Sequence, residues 1–221
     1  MIFNIDVQSF IADATSEVIE IPVPERFVEK VSVIVNPGAQ NPNGTNTLST
    51  GTAKAHEVNG EKVIYYKTLT WGTVVADFMD FRGKVSETLN DARGWKRAGL
   101  KFIEVKSGQD LNIILSDAAS LDATAGCSGE LSCTTWNNEV IINDERWREG
   151  TEASRSAGMG QRDYQHMVIN HEVGHWLGHY NHETSCENGG PAPIMLQQST
   201  GLRGCDAFNA WPLDFELWTL R

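Results

Sequence analysis

His171 and His175 stand four residues apart, with Glu172 directly after the first, in the run His171-Glu172-Val173-Gly174-His175. A helix advances about 100° per residue, so two imidazoles at this spacing project from one face, one turn apart, and can reach the same metal ion. A glutamate beside the first histidine adds a base to that pair. Zinc lowers the pKa of a water it holds from about 16 to about 7, and Glu172 is placed to take the proton and later return it to a leaving amine. The alternative is a solvated helix face carrying a chance match. Context argues against it: the run ends a helical pattern, Gly178 follows three residues later, and further histidines follow at once.

A third ligand has to come from the segment after His175, which reads Trp176-Leu177-Gly178-His179-Tyr180-Asn181-His182. A helix continued through His179 would carry that residue about 12 Å along the axis from His171, too far for one ion bound at about 2 Å. The chain must therefore turn, and Gly178 is where the left-handed conformation that ends helices is open to it. His182 is then the preferred ligand, because imidazole is a far better zinc donor than the neutral amide of Asn181. Asn181 stays as the outside candidate, and His179 as an outer or substrate-facing group.

The run resembles the metzincins, whose longer signature is His-Glu-x-x-His-x-x-Gly-x-x-His. In strict register the last position falls on Asn181, with His182 one residue late. The chain is also similar, over residues 85–218, to an uncharacterised bacterial family of predicted secreted metzincin-like proteins. In that family Gly-His-x-His is followed by a cysteine, Pro-Ala-Pro, a hydrophobic residue, Met, glutamines and Gly-Leu-x-Gly-Cys. Here Gly178, His179, His182, Cys186, Pro191-Ala192-Pro193-Ile194-Met195, Gln197-Gln198 and Gly201-Leu202-Arg203-Gly204-Cys205 follow that order, with one residue inserted before His182.

The resemblance implies a zinc-dependent endopeptidase with His171, His175 and His182 as ligands, Glu172 as catalytic base and Met195 as the Met-turn methionine beneath the histidines. It also implies a protein or peptide substrate bound as an added strand along a sheet edge. Ser132 to Trp136 is the candidate rim. Gln197 occupies the position where some metzincins carry a tyrosine, and its amide can donate to an oxyanion, although an ordinary loop role explains it as well. A zinc module without catalysis and a metal hydrolase of a non-peptide bond are the rival functions. Glu172 argues against the first, since a structural site takes four protein ligands and needs no base.

The elements that must position these residues read as α+β, with a mixed sheet and two major helices; the resemblance implies a metzincin-like catalytic domain over residues 81–221, after a β-rich extension over residues 1–80. In the extension, Val31-Ser32-Val33-Ile34-Val35 has strand character and residues 36–52 have loop composition. Asn59-Gly60 is a turn signal that leads into Lys62-Val63-Ile64-Tyr65-Tyr66. Phe81, Val85, Leu89 and Ala92 recur at helical spacing, with Gly94 as the expected stop. Leu100-Lys101-Phe102-Ile103-Glu104-Val105 and Leu111-Asn112-Ile113-Ile114-Leu115 are expected strands joined by a turn at Ser107-Gly108. Asn137-Asn138 suits a tight turn between Cys133 to Trp136 and a strand at residues 139–143, because asparagine tolerates positive φ. Tyr164, Met167, Val168, His171, His175 and Gly178 carry the longest helical pattern.

The 221 residues suffice for a full core, and no apolar run approaches the roughly 20 residues of a membrane span. A formal charge of −11 argues against nucleic acid as a partner. The four cysteines lie as local pairs, Cys127 with Cys133 and Cys186 with Cys205. Neither spacing is Cys-x-x-Cys, so disulfides are expected in place of a zinc knuckle, with four buried thiols as the alternative. Disulfides point to an oxidising, extracytoplasmic setting, although residues 1–10 lack the pattern of a signal peptide. A monomer is expected. His56-Glu57 has no partner histidine, His166 is expected to be structural or exposed, and Trp176 and Trp211 to pack.

Overall fold

The structure is a computed structural model that describes residues 55–221 apart from Asn59, Glu187 and Asn188. The strand expected at residues 31–35 and the loop at residues 36–52 lie outside the described residues. The described residues form one α+β unit around a mixed sheet of six strands. Two of these form a hairpin about Gly60: β1 (His56–Val58) runs antiparallel to β2 (Glu61–Trp71).

β2 leads into α1 (Phe78–Leu89), capped by Asp77, whose side chain accepts from the Asp80 N–H. Phe81, Val85 and Leu89 are its buried stripe, as the periodicity predicts, but the helix closes at Asn90 and Gly94 instead precedes a 3-10 turn over Trp95–Ala98. A helix between two strands brings the second strand back parallel to the first. Accordingly β3 (Leu100–Glu104) lies parallel to the first half of β2, Lys62 opposite Leu100. β4 (Leu111–Ser116) is also parallel to β2, along its second half, Tyr66 opposite Leu111. The turn at Ser107-Gly108 therefore does not make a hairpin, because both flanking strands pair with β2 and not with each other.

The sheet draws on residues from both sides of position 80. β2 precedes that position yet is paired to β3 and β4, which follow it, so the sheet runs through the boundary. Short α2 (Ala118–Asp122) precedes β5 (Cys133–Thr135) and β6 (Glu139–Asn143). β6 is parallel to β4, and β5 is antiparallel to β6 across a turn in which Asn138 has φ 59°. Among the described residues β5 pairs with β6 alone, which leaves it as an edge strand.

Short helices α3 (Asp144–Glu149) and α4 (Glu152–Ser156) lead to α5 (Gln161–Leu177), the long helix of the chain. Its buried face, with Tyr164, Met167, Val168, Ile169, Val173 and Leu177, joins the main core with α1 and the inward residues of β2, β4 and β6. Among the described residues no helix is long and apolar enough to cross a membrane. Both disulfides form as expected, Cys127–Cys133 and Cys186–Cys205. Disulfides persist in oxidising compartments, so an extracytoplasmic environment suits this chain.

Candidate metal centre

α5 ends where its last ligand has been placed. Gly178 has φ 120°, a value that side-chain-bearing residues rarely adopt, and the N–H of His179 donates back to the Gly174 carbonyl at 3.1 Å. The reversed chain then brings His182 over the helix. The ligand atoms of His171, His175 and His182 lie within 4.8 Å of one another. His175 Nε2 and His182 Nε2 are 3.1 Å apart, close to the separation of two donors each about 2 Å from one ion. The rings meet at centroid distances of 4.8 Å (His171 to His175), 5.2 Å (His171 to His182) and 4.8 Å (His175 to His182).

The donor chemistry fits a metal as well as the spacing does. His171 Nδ1 lies 2.7 Å from the Ile194 carbonyl and His175 Nδ1 lies 2.6 Å from the His179 carbonyl. A carbonyl only accepts, so both rings carry their proton on Nδ1 and present a bare Nε2. Burial is the largest influence on both, pushing His171 down to about 3 and His175 down to about 4. Like-charged neighbouring rings add to the effect. The neutral form that metals require is therefore the resident one. His182 keeps much of its surface open to solvent, and the partial desolvation of its covered side, followed by nearby Arg203, lowers its pKa as well.

Glu172 is buried beside His171, with 5% of its surface exposed. Burial pushes its carboxyl up to about 7, and the hydroxyl of Thr134, 2.8 Å from Oε2, opposes part of that rise. Met195 packs under the helix at Gly174. A Cβ on Gly174 would fall 2.4 Å from Met195 Sδ and 3.0 Å from Trp95 Cζ2, so only glycine lets the thioether approach between the two helical ligands. Trp95 is itself tied to the helix, its Nε1 donating to the Asn170 carbonyl at 3.1 Å.

The three histidines and Glu172 line one cavity of about 280 Å³, walled on one side by Ser132, Thr134 and Trp136 and on another by Tyr180 and Gln197. The structure thus brings the expected rim and Gln197 to the cluster. Asn181 is exposed and is not among the residues that line the cavity. His179 acts through its backbone: the carbonyl orients His175, while its buried ring sits 3.8 Å from the Trp218 ring and bonds the Trp218 carbonyl at 3.0 Å.

A family model describing a protein of unknown function, DUF3152, matches residues 42–215. The chain belongs to this family. No curated protein matches it. The DUF3152 region contains the whole histidine cluster, Glu172, Met195 and all four cysteines.

Other expectations separate cleanly from the site. His166 is buried and bonds Thr88 Oγ1 at 2.9 Å, a packing role. His56 pairs with Asp110 at 3.0 Å, far in sequence from the cluster. Trp211 packs on His166, and Trp176 is buried but also borders the cavity. Two contacts escape the sequence reading, although Thr134 itself lies within the expected rim. Thr134 touches Glu172 from β5, and Glu216, 1% exposed, accepts from the N–H groups of Ile194, Met195 and Leu213 at 3.0, 2.9 and 2.8 Å. Only folding brings either one near, so the linear chain carries no signal for them.

Proposed function

We propose that this chain is an extracytoplasmic zinc-dependent endopeptidase of the metzincin type, with His171, His175 and His182 as ligands and Glu172 as general base. The observation that carries the reading is the position of Glu172. Its buried carboxylate shares one cavity with three convergent imidazoles, whereas a purely structural zinc site is closed by a fourth protein ligand and has no use for a base.

Held by the three imidazoles, a zinc ion would supply Lewis acidity and a water acidified to a pKa of about 7. The chain's own residues supply the rest. Glu172, raised by burial to about 7, can both accept and return a proton near neutrality. The Thr134 hydroxyl fixes its orientation. The edge of β5, unpaired among the described residues, borders the cavity and offers backbone N–H and C=O groups to an extended peptide. Gln197, also in the lining, is the side chain whose amide can donate to the developing oxyanion. Residues 81–221 carry every one of these groups, and β2 completes the sheet beneath them.

Metal analysis combined with a peptide-library cleavage assay tests this. The wild type and Glu172→Ala are both expected to hold one zinc per chain, with cleavage reduced by roughly 10²- to 10⁴-fold or more in the variant. Equal cleavage by the variant would remove Glu172 from the mechanism. Zinc in both proteins with cleavage in neither would favour a silent zinc module.

A further inference from the structure

We propose that Glu216 is the positioning residue of this metal centre, setting the orientation of His171 and the path of the chain beside His182 through one two-residue segment, Ile194-Met195. The inference rests on the metal-site reading above. Glu216 Oε2 accepts from the Ile194 N–H at 3.0 Å and Oε1 from the Met195 N–H at 2.9 Å. The two carbonyls of the same segment face the ligands. Ile194 O accepts from His171 Nδ1 at 2.7 Å, and Met195 O accepts from the Glu183 N–H, next to His182, at 3.0 Å.

This places one carboxylate behind two of the three ligands. The 193–196 segment belongs to no strand or helix, so its peptide orientations are not set by a repeating backbone ladder. A carboxylate supplies two acceptor oxygens at fixed separation, which suits two successive N–H groups, and charge-assisted bonds are stronger than neutral ones. Glu216 Oε2 also takes the Leu213 N–H at 2.8 Å, so the carboxylate is itself held. His175 stands outside this network, because its Nδ1 partner is the His179 carbonyl in the turn that closes α5. The coupling through the carboxylate is therefore selective for His171 and the His182 arm, while His175 is reached only at one remove, through the His179 ring that bonds the backbone of the 216–218 turn.

Glu216→Gln keeps the shape but turns one acceptor oxygen into an N–H₂ group facing an N–H. Ring nitrogen NMR on the metal-free variant should show His171 moving from the Nδ1–H tautomer toward Nε2–H, with His175 unchanged. Competition with a chromophoric chelator should show zinc binding weakened on the order of 10- to 100-fold, the range for loss of groups that orient metal ligands. A core control, Val85→Ala, should lower thermal stability and leave both readouts where they are. If Glu216→Gln does not fold, Glu216→Asp, still anionic but one methylene short, should show the same selective shift. An unchanged His171 tautomer, or equal movement of His171 and His175, would overturn the proposal. A wild type that binds no zinc would overturn the metal-site reading alone, since the tautomer measurement needs no metal.

Discussion

Two regions of very different construction meet at the histidine cluster. α5 delivers His171, Glu172 and His175 from a regular backbone whose own hydrogen bonds fix their spacing, and it is buried along most of its length. The segment from Gly178 to Cys205 delivers His182 and Met195, and the regular structure among its described residues is limited to isolated bridges, Glu183 to Leu196 and Pro191 to Ala207, and a 3-10 turn over Gln198–Thr200. It is held by the Cys186–Cys205 bond, by the two N–H bonds from Ile194 and Met195 to Glu216 and by the packing of Met195 against Gly174. A helix sets ligand geometry by its pitch. A loop needs distant residues to do the same work, so its ligand is the one whose identity and affinity depend on tertiary contacts.

The largest expected effect tests which side of that comparison holds the third ligand. His182→Ala should weaken zinc binding by more than the roughly 10- to 100-fold typical of outer groups, as His171→Ala and His175→Ala should. Asn181→Ala should leave the zinc affinity near that of the wild type in a chelator titration. Zinc retention in His182→Ala together with loss in Asn181→Ala would transfer the ligand role to Asn181.

The contact between the two regions comes next. In an exposed helix Ala is favoured over Gly by about 1 kcal/mol, but at position 174 the new methyl would sit 2.4 Å from Met195 Sδ. Gly174→Ala is expected to destabilise the protein by about 1 to 3 kcal/mol in denaturant unfolding, the usual cost of overpacking. An unchanged or raised stability would mean that the Met195 segment yields freely, and that the loop is not pinned to the helix.

A smaller effect appears in pH dependence. In metal-free protein the folded pKa values of His171 and His175 lie below their ordinary value of 6.5, at about 3 and about 4. The unfolded chain then binds more protons, so these two groups make stability fall as pH drops below 6.5 toward those values. Glu172 has the opposite sign. Its folded pKa of about 7 lies above the ordinary 4.5, so it adds stability as pH falls from 7 toward 4.5. Glu172→Gln should therefore steepen the acid loss of stability between pH 7 and 4.5, read as urea midpoints across that range. A shallower profile would contradict the burial assigned to Glu172.

The smallest effect belongs to the rim. Trp136, in the turn between β5 and β6, is 50% exposed and 5.4 Å from the Tyr180 ring, so that turn meets the 178–205 segment at the mouth of the cavity. Trp136→Ala should raise KM for peptide substrates a few-fold with little change in kcat, as expected for a contact made equally in ground and transition states. A fall in kcat at constant KM would move Trp136 into the chemistry.

Much of the helix was legible beforehand. Period, spacing and Gly178 are local properties, and the element runs Gln161–Leu177 as that pattern implies. Asn138 at φ 59° likewise follows from residue type. The sheet was less legible. Leu100–Glu104 and Leu111–Ser116 were readable as strands, but short apolar runs do not say which neighbour they join, and both chose β2. The pairing of β2 was illegible for the same reason, since β2 looks like one arm of a local hairpin until its long-range partners are known.

The sequence by itself determined the donor types, the four-residue spacing that aligns His171 with His175, the glutamate beside them and the glycine that stops the helix. These rest on covalent order and helical pitch, which act within one or two turns. Tertiary structure alone decided that His182 reaches the cluster, that the backbone of His179 orients His175, and that Thr134 and Glu216 serve the site from 38 and 22 residues away in the chain. Those contacts depend on the closure of loops and the packing of β5 and the 213–216 turn. No local propensity encodes them, because each is stabilised only once the rest of the fold is in place.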